Sequence, residues 1–161
     1  MSRLKLIAFI ALITLAFAVS LVADVVAGEK VKVVRRNANH MTTFQAVKVG
    51  DVEGHTLQLF EAKGIAFHKK WGVGLATVTL TMEDRNGEWT GGGFTHFTFP
   101  DGSTYTHKFE GKGGASGGEG TWTGVQGTGK LAGMQAHGTW TNYPMGPGQF
   151  YSDEKGEYTL P

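Results

Sequence analysis

Apolar and polar residues alternate with a period of two along most of the chain that follows residue 42. This period is typical of strands that turn one face towards a core. Outside the N-terminal segment, no helical period of 3.6 residues extends beyond about two turns. Eight alternating runs can be delimited, over residues 43–49, 55–67, 72–82, 88–99, 103–111, 117–125, 133–143 and 148–160. The pattern predicts an all-β domain.

The connections between these runs are short and rich in glycine, and all 25 glycines of the chain follow residue 27. Short connections favour antiparallel neighbours, and eight strands are about the number that closes a barrel around a filled or ligand-sized interior. Closure also removes the exposed edges of strands as apolar as these. We therefore predict an eight-stranded antiparallel closed β-barrel.

The N-terminal segment has the pattern of an export signal. Arg3 and Lys5 precede an uncharged apolar run over residues 6–23, as in the n-region and h-region of a signal peptide. Cleavage after Ala27 or Ala23 fits this pattern, and an uncleaved N-terminal anchor is the alternative, because the run reaches the lower length limit of a spanning helix. We predict a signal over 1–27, a leader over 28–42, a barrel domain over 43–161, and a secreted or periplasmic location.

Charge and composition exclude several classes of function. Removal of residues 1–27 leaves 13 cationic and 13 acidic side chains, so no basic field predicts nucleic-acid binding. The absence of cysteine excludes thiol catalysis and cysteine-ligated zinc. The cluster EKVKVVRRN, which begins at Glu29, is interpreted as a solvated leader. No cofactor is predicted, and no membrane contact beyond the N-terminal anchor.

The stretch FTHFTFPDGSTYTHKF, residues 94–109, predicts a β-hairpin with two histidines. A two-residue turn at Asp101 and Gly102 would place His96 directly opposite His107, about 4.5–5.5 Å apart on one face. The same register gives that face four further side chains: Phe94, Thr98, Tyr105 and Phe109. We predict that these six residues line a ligand cavity.

Two other interpretations of the histidine pair stay open. The two imidazoles would form part of a metal site only with a third ligand, for which His137 is a candidate. Alternatively, both are neutral core histidines that are hydrogen-bonded to neighbouring hydroxyls. We predict no metal site.

Glu61 is the candidate catalytic residue, because it interrupts the apolar run LQLFEAKGIAF. A carboxyl group inside a barrel would have a raised pKa and could act as a general acid or base. Edge exposure, or pairing with Lys63 or Lys48, is the alternative.

Three tryptophans recur in similar surroundings, in GEWTGG, GTWTGV and GTWTNY. We predict that Trp89, Trp122 and Trp140 pack where glycine leaves space on the strand. Stacking of the tryptophans on a sugar or another flat ligand is the alternative.

Several stretches together resemble bacterial exported proteins with an allene oxide cyclase-like barrel, which are related to dirigent-type and other calycin-like barrels. The stretches are DVEGHTLQLFEAKGIAF, FPDGSTYTHKFEG, GTGKLAGMQAHGTW and QFYSDEKGEYTL, and the resemblance covers roughly residues 43–161. It implies an eight-stranded barrel with a largely apolar central cavity. In plant allene oxide cyclases that cavity holds a fatty-acid epoxide, but the resemblance assigns no pocket residue here.

Three functions follow as expectations. The first is binding of a small apolar or amphipathic molecule in the barrel. The second is an isomerase or cyclase that acts on a lipid-like or polyketide-like substrate in the same cavity. The third is a structural domain with a filled barrel. The resemblance also leaves association into a homo-oligomer open.

Overall fold

Eight antiparallel strands make up nearly all of residues 30–161, the part of the chain that this computed structural model describes. The strands are β1 (Lys30–Lys48), β2 (His55–His68), β3 (Gly72–Arg85), β4 (Glu88–Thr98), β5 (Thr104–Gly114), β6 (Gly117–Gly127), β7 (Gln135–Gly146) and β8 (Gln149–Thr159). They pair in sequence order, and β1 pairs with β8 to close the barrel. The predicted fold is confirmed. Among the described residues, no helix is long and apolar enough to cross a membrane.

The first strand begins earlier than predicted. Residues 30–42, which were predicted to be a leader, pair with β8 and β2 as the first part of β1. Their alternation was missed because polar side chains occupy three of four successive inward positions, which are Val33, Arg35, Asn37 and Asn39. The leader interpretation is therefore wrong for these residues. The signal or anchor predicted over residues 1–27 lies outside the described residues and stays a prediction.

The two ends of the barrel differ in how they are filled. At the end where β1, β3, β5 and β7 begin, here called the closed end, Trp71 stacks on His68 with ring centroids 3.9 Å apart. The Trp71 ring also lies 4.9 Å from Tyr158 and 5.6 Å from Phe99. Leu131 and Met134 are buried with these aromatic rings. The closed end is therefore filled by side chains.

Large tryptophans fill the middle of the barrel where neighbouring strands carry glycine. A Cβ atom on Gly138 would lie 2.7 Å from Cζ2 of Trp122, and one on Gly156 would lie 2.8 Å from the same atom. Trp140 approaches Gly111 and Gly120 in the same way. These close approaches exclude larger residues, and they confirm the predicted packing of tryptophan against glycine.

The opposite end, where β2, β4, β6 and β8 begin, is here called the open end. Three of its four connections are turns of two residues, at 86–87, 115–116 and 147–148. Turns this short do not reach across the barrel, so the side chains at this end surround an opening.

Candidate functional site

The hairpin formed by β4 and β5 has a register that differs by one residue from the prediction. Thr95 lies opposite His107, and His96 lies opposite Thr106. The loop is three residues long, because the amide of Phe99 donates to the carbonyl of Ser103 at 2.9 Å. A two-residue loop would have required Pro100 to donate at the closing pair, and proline has no N–H. The one-residue shift moves every side chain of β4 to the other face.

Three of the six predicted cavity residues consequently face the interior, namely Tyr105, His107 and Phe109. The prediction is wrong for the other three, because Phe94, His96 and Thr98 are exposed on the outer face. There, Nδ1 of His96 lies 2.8 Å from the hydroxyl of Thr106. His137 is also on the outside. The three histidines therefore cannot share a metal ion, and no cluster of three or more metal-ligating side chains exists within residues 30–161.

Glu61 lies on the outer face of β2 and is exposed, so its predicted position inside the barrel is wrong. It shares its face with Leu57 and Leu59, as the alternation indicated, but that face points to solvent. The inner face of β2 carries Phe60 and Ala62 instead. Small alanines face the interior because bulky aromatic residues already fill it.

A buried polar network that was not predicted from the sequence crosses the barrel interior. The Arg35 guanidinium donates to the Glu154 carboxylate, and the Asn37 side-chain amide donates to the other oxygen of the same carboxylate. All three side chains are less than 5% exposed. Arg35 also lies over the ring of Phe97, with Cζ 3.9 Å from its centroid. The only sequence signal was the period-two placement of Arg35, Asn37 and Asn39 after Val33.

His107 extends this network. Nη2 of Arg35 lies 3.1 Å from Nδ1 of His107. Because a guanidinium only donates, Nδ1 must accept and the proton of the neutral ring lies on Nε2. Burial, with the nearby charge of Arg35, holds the pKa of His107 well below its usual value. The imidazole is therefore a fixed hydrogen-bonding group and not a proton carrier near neutral pH.

Tyr105 is also uncharged, because burial raises the pKa of its hydroxyl well above the usual value. Both Glu154 oxygens already accept hydrogen bonds from Arg35 and Asn37. The interior therefore holds its polar groups in fixed roles and offers hydrogen bonds and charge, with no free general base among these residues.

A small inner pocket of about 50 Å³ lies beside this network. Asn37, His107, Glu154 and Asn142 all contribute to its walls. Asn39 also lines the pocket, and the Oδ1 atoms of Asn37, Asn39 and Asn142 are buried without a hydrogen-bond partner in the described protein. A buried polar atom without a partner destabilises a fold, so these three acceptors indicate a place for a donor from outside the protein.

A wider cavity of about 220 Å³ leads from the open end to the inner pocket. The two share five lining residues, Phe60, Leu80, Trp89, Asn142 and Phe150, and so form one funnel. The rim is largely apolar and includes Met41, Met82 and Pro144. An apolar entrance above a polar floor is the usual arrangement of a small-molecule site.

No protein-family model and no curated protein matches the sequence. The geometry of the barrel interior therefore carries the functional argument.

Proposed function

We propose that the protein is an exported barrel that binds one small amphipathic molecule in the funnel at its open end. The apolar part of the ligand packs against Met41, Met82 and Phe150, and a hydrogen-bond donor reaches Asn37 and Asn142 at the floor. The observation that carries this proposal is the set of three buried amide oxygens without partners, Oδ1 of Asn37, Asn39 and Asn142, at the base of an open cavity.

The size of the funnel limits the ligand. Sites for drug-sized ligands typically measure about 300–1,000 Å³, whereas the outer part of this funnel measures about 220 Å³ and the inner part about 50 Å³. The ligand is therefore a small molecule of two or three rings at most, or a short chain. A long acyl chain would not be enclosed, because aromatic side chains fill the closed end.

The charge around the opening favours a neutral or cationic ligand. Six acidic residues lie in the strand ends and turns of the open end: Asp51, Glu53, Glu83, Asp84, Glu88 and Glu119. Only three cationic residues accompany them there: Lys48, Arg85 and Lys112. An excess of negative charge at the entrance repels anions and raises the local concentration of cations.

Binding is favoured over the isomerase or cyclase alternative, because Arg35 and Asn37 occupy both oxygens of Glu154 and the pKa of His107 is held well below its usual value. We also propose a relationship to allene oxide cyclase-like barrels. The central cavity that this relationship implies is compatible with the funnel. A purely structural barrel is the remaining alternative, and the filled closed end is the feature that favours it.

Binding of N-phenyl-1-naphthylamine, a neutral apolar fluorophore with one N–H donor, tests the proposal. We expect a saturable rise in its directly excited fluorescence with the wild-type chain. Met82→Trp places a larger side chain at the rim of the funnel and should weaken binding by at least about tenfold, or about 1.4 kcal/mol. Thr81→Trp is the matched control, since Thr81 is the preceding residue and is exposed on the outer face. A wild-type chain that gives no saturable signal, or two variants that bind equally well, would favour the structural barrel.

A further inference from the structure

The charged residues of the barrel are divided unequally between its two ends. Six lysines lie at or near the closed end: Lys30, Lys32, Lys69, Lys70 and Lys130 are in its strand ends and loops, and Lys155 is further along β8. The exposed acidic residues there are Asp101, which pairs with Lys130, and Glu157, which pairs with Lys30. The exposed pair of Arg36 and Asp153 is internally neutral. The closed end thus has four cations in excess, whereas the open end has an excess of acids.

The four remaining lysines, Lys32, Lys69, Lys70 and Lys155, have no ion-pair partner among the described residues. All four are exposed. Because neighbouring carboxylates do not neutralise them, their charge is available to a partner outside the chain.

An exposed apolar surface adjoins these lysines. Ile65 lies opposite Leu75 and Phe67 lies opposite Val73 across β2 and β3, and each of the four side chains is at least 44% exposed. Val34 on β1 is exposed beside them. A shallow groove lined by Val34, Phe67 and Val73 runs between Lys69 and Lys155. We call these five apolar residues with the four lysines the basic apolar surface.

We propose that the basic apolar surface docks on an anionic lipid bilayer, so that the closed end faces the membrane and the ligand-binding opening faces away from it. The lysines would contact lipid phosphates, and Phe67, Val73 and Leu75 would lie at the headgroup level. Lysines beside exposed apolar side chains are the usual composition of a surface that lies in the membrane interface. This contact goes beyond the N-terminal anchor considered from the sequence.

Two features favour a bilayer over a second copy of the chain. The closed ends of two copies of the chain would carry the same excess of positive charge and would repel each other. An anionic leaflet would instead attract the closed end. Lys30, to which the predicted signal or anchor segment is joined, also belongs to the closed end. The proposal does not depend on the ligand site, since none of the nine residues lines the funnel.

The absence of cysteine from the chain allows a site-resolved test with single-cysteine variants of the full-length protein. Val73→Cys places an environment-sensitive fluorophore at the closed end, and Thr90→Cys places it on the exposed outer face near the open end. Both are reconstituted in nanodiscs of phosphatidylcholine alone or with about 30 mol% phosphatidylglycerol. Quenching by a spin-labelled lipid then reports contact with the bilayer.

We expect strong quenching at position 73 in anionic nanodiscs only, and little at position 90 in either lipid. The quenching should disappear in about 1 M salt, where the screening length is about 3 Å, and in the variant Lys69→Glu with Lys70→Glu. The matched control is Lys48→Glu with Lys112→Glu, which removes two lysines of the open end and should retain the quenching.

Quenching at position 73 that is independent of lipid charge would mean that an anchor alone holds the barrel near the membrane, and would overturn the proposal. Equal quenching at both positions would do the same. A spectral shift at position 73 that depends on protein concentration in the absence of lipid would assign the surface to a second copy instead.

Discussion

Arg35 and Glu154 form a buried ion pair across β1 and β8, the two strands whose pairing closes the barrel. Their immediate neighbours, Arg36 and Asp153, form a second pair on the outer face, with two hydrogen bonds of 2.6 and 2.7 Å. The seam of the barrel therefore carries ion pairs on both faces, and on the outer face Lys30 also pairs with Glu157. The inner pair also supports the pocket, because Glu154 fixes Asn37 and Arg35 fixes His107.

The first prediction concerns the strength of the inner pair. Glu154→Met leaves the Arg35 charge buried without compensation, and Arg35→Met leaves the Glu154 charge in the same state. Each single variant should lower the free energy of unfolding by roughly 3–5 kcal/mol. The double variant Arg35→Met with Glu154→Met should lose less than the sum, because it buries no unpaired charge. Urea denaturation of the four proteins measures the coupling.

The outer pair provides the matched control. Removal of Arg36 and Asp153, singly and together, should give a much smaller coupling, because solvent screens exposed charges. A single inner variant that fails to fold while the double variant folds would agree with the prediction. An inner coupling no larger than the outer one would contradict it.

The second prediction links stability to binding at Asn142. Asn142→Leu removes a buried acceptor that has no partner in the described protein, so the free energy of unfolding should rise by about 1–3 kcal/mol. Affinity for N-phenyl-1-naphthylamine should fall, because the donor of the ligand loses its acceptor. Gln135→Leu makes the same chemical change at an exposed position of β7 and should leave binding unchanged. A less stable Asn142→Leu protein that binds as tightly as the wild type would refute the role of Asn142.

The third prediction concerns pH. Burial, with the charges of Arg35 and Lys70, lowers the pKa of His68 to about 4, and the pKa of His107 is lowered as well. In the unfolded chain both titrate near their ordinary value of about 6.5. As the pH falls below about 6.5, the unfolded state takes up protons and the native state does not, so stability decreases. His68 alone should account for roughly 3 kcal/mol by about pH 4.

Asp101 contributes to the pH dependence of stability only at lower pH, since the hydrogen bond from Lys130 and those from Ser103 hold its pKa at about 2. Urea denaturation between about pH 7 and pH 4.5 therefore reports mainly on histidine. His68→Asn keeps an acceptor for the amides of Lys70 and Trp71 and should flatten the profile. His96→Gln changes a histidine on the outer face, and the stability of this variant should depend on pH as that of the wild type does. A wild-type stability that is constant over this range would contradict the buried neutral histidines.

The sequence predicted the architecture better than the site. Period-two alternation is a property of each strand, so the number of strands and most of their positions could be predicted locally. The face that each strand turns inward depends on register, and register depends on how a turn is closed. Pro100 sets the register of the hairpin of β4 and β5. Because Pro100 has no N–H, the closing pair is Phe99 and Ser103.

The polar floor of the funnel could not be predicted, because its members lie far apart in the sequence. Arg35 and Glu154 are 119 residues apart, and no local pattern indicates that β1 and β8 meet. Arg35 and Asn37 also occupy positions where an apolar side chain is expected, so that part of β1 was interpreted as a leader. A charged residue at an inward position is itself evidence for a partner on another strand.

The central claim is that a ligand enters the open end and leaves the closed end unchanged. Four methionines lie within the described residues, and their methyl groups provide resolved NMR signals: Met41 and Met82 line the mouth, Met134 is buried at the closed end, and Met145 is exposed. Titration with N-phenyl-1-naphthylamine should shift the methyl resonances of Met41 and Met82 in a saturable way and leave Met134 unchanged. Unchanged Met41 and Met82 resonances, or shifts as large at Met134, would contradict the account.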